Sequence, residues 1–293
     1  MKPNLLSLLL LCLTLAACTA PTPTFPPLQT PTEAAPTSTA TSTPAPTATP
    51  APTIASLATL LHHPDTGWTE LRPGLERRIL SVNDAQGAWV ESLYILRVDP
   101  VMFRFDVNYD PLGEPLTAWA AVTGALIVVN GGYFREENAR YIPTGLTVIN
   151  GQPIGESYEG FGGMFAVTDQ GPQLRSLAQQ PYQFGEPLLA ALQSFPLLVK
   201  PGGVLGFPAE YEDNLQARRT VIGRDRDGRF LFMVADQGYF TLHQLSLYLT
   251  NSDLNLDIAL NLDGGPSSGI FLSNPREQIP AYGNLPIVIT VHE

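Results

Sequence analysis

The sequence predicts an α+β fold: a single strand-rich domain with a mixed core and a few helices packed on it. Three observations predict it. Phe103, Phe105, Val107 and Tyr109 alternate with polar or small residues, the period of a half-buried strand. Two short runs at 125–129 and 258–262, apolar except for Asn261, have the character of strands buried on both faces. Thr241 and Gln244 form a capping box ahead of Leu242, Leu245 and Leu249, which share one helical face.

The chain opens with a leader. Residues 1–17 read as a signal peptide, with Lys2 as the charged start and a leucine-rich run at 5–15 that is too short to span a bilayer. Leu15-Ala16-Ala17-Cys18 resembles a lipobox, in which small residues admit the peptidase and the Cys18 thiol takes a diacylglyceryl group. The expectation is an exported protein, anchored by Cys18 lipid to the outer face of a bacterial membrane. Cys12 falls in the leader, so the folded part has neither disulfide nor thiol nucleophile.

Residues 19–53 contain 10 prolines and 12 threonines, with Phe25 and Leu28 the only large apolar side chains. Such a segment buries too little apolar surface to offset its ordering entropy, so 18–53 reads as a lipidated, disordered tether. From Ile54 the composition turns globular, leaving 54–293 for one domain with a sizeable core. The formal charge of −11, with Lys200 the only lysine beyond the leader, excludes the basic footprint of a nucleic-acid binder. Contact with a membrane is expected through the lipid alone.

Within the domain, Asn150-Gly151 separates two strand-like segments and marks a tight hairpin. A second hairpin is expected where 219–223 and 230–235 flank Asp225-Arg226-Asp227-Gly228. Helices are expected at 242–250, at 186–193 and at 117–122.

Two loops share one design. Val128-Val129 runs into Asn130-Gly131-Gly132-Tyr133-Phe134, and Asn261-Leu262 runs into Asp263-Gly264-Gly265-Pro266-Ser267-Ser268. In each, a buried strand ends at a small polar residue followed by paired glycines. Such turns let successive N–H groups converge on an anion, but they also serve simply to reverse a chain. Taken alone, the pattern leaves both readings open.

The ordered series of motifs is more specific. It runs through Asn130-Gly131-Gly132-Tyr133-Phe134, Gly145 before the Asn150-Gly151 hairpin, Arg219-Thr220-Val221-Ile222-Gly223, Thr241-Leu242, and Asn261-Leu262-Asp263-Gly264-Gly265-Pro266-Ser267-Ser268. Over roughly 117–291 the whole resembles the phosphodiester glycosidase family, whose bacterial members are often exopolysaccharide-related lipoproteins. One position departs from it: the family's last motif usually has a third glycine where this chain has Pro266, which lacks an N–H.

The resemblance implies a hydrolase that cleaves a sugar joined to a phosphodiester through its anomeric carbon, in cell-envelope or extracellular glycan. Asp263 would be the catalytic carboxylate, with Asp236 the second candidate. Arg219 would clamp the phosphate with its two-pronged fork. The amides of Gly131, Gly132, Gly264 and Gly265 would hold anionic oxygens, and Asn130, Ser267 and Ser268 would orient hydroxyls. No cofactor is implied; nothing in the sequence supports a calcium ion held by Asp236, Asp263 and nearby carbonyls, and no ligand series follows Asp225 and Asp227. The alternative is a glycan-binding lipoprotein that uses the same loops without chemistry. Gly265-Pro266-Ser267-Ser268-Gly269 formally matches a serine-nucleophile motif, but the following Ile270-Phe271-Leu272 reads as a strand where that motif needs a helix. His62, His63, His243 and His292 lack zinc-ligand spacing.

Overall fold

The computed structural model describes residues 65–158 and 162–293. The expected leader at 1–17, the expected lipidation site Cys18 and the expected tether to residue 53 lie outside these residues. Among the described residues there are twenty strands and two α-helices. The fold is therefore mostly β, which corrects the α+β expectation.

In chain order the first strands are β1 (Thr69–Arg72), β2 (Leu75–Asn83), β3 (Trp89–Val98), β4 (Arg104–Glu114), β5 (Ile127–Asn130), β6 (Phe134–Glu137) and β7 (Arg140–Pro143). Next come β8 (Thr147–Ile149), β9 (Gln152–Ile154), β10 (Gly163–Thr168), β11 (Gly171–Ser176), β12 (Ala190–Ser194), β13 (Leu197–Lys200) and β14 (Val204–Leu205). The last are β15 (Arg219–Asp225), β16 (Phe230–Ala235), β17 (Leu256–Asn261), β18 (Ile270–Leu272), β19 (Glu277–Ile279) and β20 (Leu285–His292). Helix α1 spans Leu116–Thr123 and α2 spans Leu242–Asn251.

An eight-stranded sheet has the order β1-β2-β3-β16-β15-β17-β13-β14. Two five-stranded sheets have the orders β11-β10-β12-β8-β9 and β19-β18-β5-β20-β4, and β6-β7 form a separate ribbon. The inner faces of the three larger sheets converge on one core that includes Leu96, Phe105, Val129, Phe165, Ile222, Phe232 and Leu260.

Period-two alternation explains why the central strands are apolar throughout. On β16, Phe230, Phe232 and Val234 enter that core, while Leu231, Met233 and Ala235 face the opposite side. There α2 covers them with Leu245, Tyr248 and Leu249. On β5, Ile127 and Val129 point inward, and Val128 packs under Leu116, Trp119 and Ala120 of α1. The two apolar runs are thus the buried strands β5 and β17, as their composition predicts.

Local chemistry sets the ends of these elements. The Gln244 N–H donates to Thr241 Oγ1 at 3.2 Å and the Thr241 N–H donates to Gln244 Oε1 at 3.1 Å, forming the expected capping box. Asn150 and Gly151 take φ of 50° and 76° between β8 and β9, the left-handed pair of a two-residue hairpin. At the β15–β16 turn, Asp225 accepts from the amides of Asp227 and Arg229 and pairs with the Arg229 guanidinium.

The helix expected at 186–193 is absent. Residues 190–194 form β12 between β10 and β8. Ala190 and Leu192 face the main core, and Ala191 packs with Val148, Met164 and Ala166 on the outer face of the sheet. Alanine and leucine favour a helix locally, but a strand buries both faces of this segment, and tertiary burial outweighs a propensity of a few tenths of a kcal/mol per residue.

Candidate active site

The two Gly-Gly loops meet. β5 and β17 belong to different sheets, yet the Asp263 N–H donates to the Gly131 carbonyl at 3.0 Å. Asn130 closes the junction. Its Nδ2 donates to the Asp263 carbonyl at 2.8 Å, and its Oδ1 accepts from the Thr220 hydroxyl at 2.7 Å and the Gly269 N–H at 3.0 Å. The residue is 1% exposed. Asn130 therefore clamps strands from two sheets, with its polar atoms already committed, and does not present its amide to a sugar hydroxyl as the sequence reading expects.

The glycine amides are also largely committed. The Gly131 N–H donates to the Ile287 carbonyl, that of Gly264 to Asp263 Oδ1, and that of Gly265 to the Arg218 carbonyl. The expected anion cradle is not formed by these three groups. What demands glycine is close approach: a Cβ on Gly131 would sit 2.7 Å from Ile287 Cγ2, and one on Gly132 would sit 2.8 Å from the Gln193 carbonyl oxygen.

Asp263 projects from this junction and is half-buried. Burial raises its carboxyl above the ordinary carboxylate range, partly countered by hydrogen bonds from the Ser267 hydroxyl and the Gly264 N–H. Ser267 thus orients the carboxylate. Ser268 is fully buried and unavailable to a surface ligand. A short 3₁₀ turn at Gly265–Ser267 leads into β18, so no helix follows the serines and the serine-nucleophile context is missing. Pro266 sits at the start of that turn, where the N–H has no helical partner to lose.

Arg219 opens β15. Val221 pairs with Asn261, so Arg219, two residues earlier, runs alongside Asp263. It is 6% exposed. Its Nε donates to the Phe240 carbonyl at 3.2 Å and Nη2 to the Leu215 carbonyl at 2.5 Å. Nη1 lies 3.9 Å from where a Cβ of Gly264 would stand. Among the described residues no carboxylate stands within ion-pair distance of this guanidinium. Burial lowers its pKa, partly opposed by Tyr133, Asp213 and Glu212.

Tyr133 and Asn261 complete the cluster, and the sequence reading assigned neither a role. The Tyr133 hydroxyl donates to the Phe195 carbonyl at 2.8 Å and accepts from Asn261 Nδ2 at 2.8 Å. Burial, and then the negative charge of Asp263, push its pKa up to about 12. Asn261 Oδ1 is buried with no hydrogen-bond partner. The signal for Asn261 was a polar residue closing an apolar strand next to Asp263.

Asp236 lies two strands away in the eight-stranded sheet from β17, the strand that leads into Asp263. It follows β16, which β15 separates from β17, so two strand spacings, about 10 Å, lie between the backbones. Its electrostatic neighbour is Glu91, a fully buried carboxylate that accepts from the amides of Ser92, Gln237 and Tyr239. Among the described residues no group of three or more His, Cys, Asp or Glu side chains is placed to hold a metal ion.

A mostly β scaffold thus joins two sheets at paired Gly-Gly loops, with an aspartate and a buried arginine at the seam. A family model of the phosphodiester glycosidases covers residues 123–287, and the chain belongs to the phosphodiester glycosidase family. Among solved structures, the chain is similar to the zebrafish N-acetylglucosamine-1-phosphodiester α-N-acetylglucosaminidase catalytic domain auto-inhibited by its pro-peptide. The TM-score is 0.59 at 21% identity, over 76% of this chain and 84% of that one. A hypothetical protein from Synechocystis aligns with TM-score 0.60 at 14% identity, over 78% of this chain and 64% of that one. A putative exported protein from Burkholderia pseudomallei aligns with TM-score 0.52 at 12% identity, over 69% and 74%. At these identities the likenesses show the fold. No curated protein matches the sequence.

Proposed function

We propose that the chain is a hydrolase that cleaves a glycosyl-1-phosphodiester in cell-envelope or extracellular glycan, held outside the cell by the Cys18 lipid. The observation that carries this reading is Arg219, buried beside Asp263 with no carboxylate within ion-pair distance among the described residues. An isolated buried cation is costly, and a bound phosphodiester would supply the missing counter-charge with two-pronged geometry.

The chemistry follows from the leaving group. Water adds to the anomeric carbon, the C–O bond to phosphate breaks, and its electron pair leaves on the phosphate oxygen as a stable anion that needs little acid assistance. Asp263 stabilises the oxocarbenium-like charge from a partly dehydrated position, where its field is stronger than in water. The water proton passes to Asp263, whose raised pKa makes it the better acceptor. Arg219 offsets the charge on the departing phosphate, and the hydrogen-bonded Tyr133 and Asn261 brace the seam beside Asp263.

The test is sugar release from aryl and nucleotide-type glycosyl phosphodiesters in ¹⁸O water. Wild type should turn over and place the label in the sugar, and Asp263→Asn should lose at least a hundredfold in kcat. Binding without turnover by wild type would replace this reading with that of a glycan-binding module.

A further inference from the structure

Arg218 is the neighbour of Arg219, and nothing in the reaction above uses it. Arg218 immediately precedes β15, and the two guanidinium groups reach different partners: that of Arg219 bonds the Phe240 and Leu215 carbonyls, and that of Arg218 the Pro280 carbonyl. Arg219 Nη1 lies beside Gly264. Arg218 borders the same loop: its carbonyl accepts from the Gly265 N–H at 2.8 Å, and its side chain runs to Pro280 and Tyr282.

The Arg218 side chain is incompletely satisfied. The residue is 8% exposed, and Nη2 donates to the Pro280 carbonyl at 2.9 Å. Nε and Nη1 are buried with no hydrogen-bond partner. Among the described residues no carboxylate forms an ion pair with it. Leaving a charged donor unpaired in the interior costs more than leaving a neutral one unpaired. An unfilled guanidinium beside a candidate active site calls for a ligand.

Its cover is Tyr282. The guanidinium carbon lies 4.3 Å from that ring's centroid, yet Tyr282 is 73% exposed. The main-chain N–H of Tyr282 is held by the Pro266 carbonyl at 2.8 Å, so the backbone is fixed while the ring can turn about χ1. Turning it outward uncovers the donors and presents an aromatic face next to them, a pairing suited to a sugar or polyol that carries an anion.

We infer that Arg218 and Tyr282 form a second anion-binding position on the outer flank of the Gly264–Gly265 loop, which receives a phosphate of the aglycone beyond the scissile one. Its assignment to the aglycone rests on the proposed hydrolase reading. The substrate class becomes narrower: a glycan in which sugar or polyol units alternate with phosphates, so that one phosphate meets Arg219 and the next meets Arg218.

Two arms test this separately. In turnover, a p-nitrophenyl glycosyl phosphodiester is compared with one whose aglycone is glycerol ending in a second phosphate. Arg218→Gln should raise KM about tenfold or more for the second substrate, leave kcat within twofold, and leave the first substrate unchanged. An equal effect on both substrates, or on neither, overturns the proposal. In binding, 1,3-propanediol bisphosphate is titrated calorimetrically into wild type and Arg218→Gln. A tenfold loss of affinity in the variant supports the site, and equal affinity overturns it. The binding arm stands even if neither substrate is cleaved, which would end the hydrolase reading alone. Should Arg218→Gln fail to fold, Arg218→Lys keeps the charge and a donor for Pro280 but not the planar fork, and the same losses are expected.

Discussion

Replacing Asn130 by alanine tests whether the seam between the sheets is structural or a substrate contact. In the fold, the Asn130 side chain satisfies the Thr220 hydroxyl, the Gly269 N–H and the Asp263 carbonyl at distances of 2.7, 3.0 and 2.8 Å. Thr220 is fully buried and Asn130 nearly so. The truncation leaves three polar groups without partners, each worth about 1–3 kcal/mol of lost desolvation. The groups are neighbours, so the terms do not simply add, and entering water offsets part of the loss. The expected destabilisation is roughly 3–5 kcal/mol. For a domain of this size each kcal/mol lowers Tm by about 2–4 °C, which gives a fall of roughly 6–20 °C. Urea unfolding and calorimetry measure it, and KM is measured in parallel on the folded fraction. A variant that melts within about 2 °C of wild type but shows a raised KM would refute the clamp and return Asn130 to the substrate side.

Two further outcomes concern the same loops. Because burial raises the Asp263 pKa, the fold favours its neutral form. The resulting stabilisation is present below the unfolded carboxylate value of about 3.9 and is lost as pH rises through the higher folded value. Asp263→Asn should therefore melt at least as high as wild type at pH 7, with the difference narrowing as pH falls toward 4. A variant melting far below wild type at pH 7 would show that the bonds from Gly264 and Ser267 to the carboxylate dominate instead. Gly132→Ala places a Cβ 2.8 Å from the Gln193 carbonyl oxygen, a backbone atom that cannot swing away. A loss of about 1–3 kcal/mol is expected by thermal melting, and an unchanged Tm would show that the loop relaxes without strain.

Much of the frame is legible in the residues. The β5 and β17 runs, the Asn150-Gly151 hairpin, the α2 capping box and the ordered motifs all rest on short-range rules of alternation, turn chemistry and capping, which act over a few residues. The fold class is not legible in the same way. Residues 186–193 carry helical composition, and only the presence of β10 and β8 on either side makes the strand the better burial.

The site divides along the same line. The sequence by itself determined that Asp263, Arg219 and two Gly-Gly loops exist, with chemistry suited to an anion, because side-chain type and spacing are local properties. Only the tertiary structure decided that Gly131 touches Asp263, that Asn130 clamps rather than binds, that Asp236 stands with Glu91, and that Arg218 is left unfilled. Those outcomes depend on which hydrogen bonds become saturated when distant strands come together. Burial makes every donor and acceptor find its partner in three dimensions, and no spacing along the chain reveals which ones are left over.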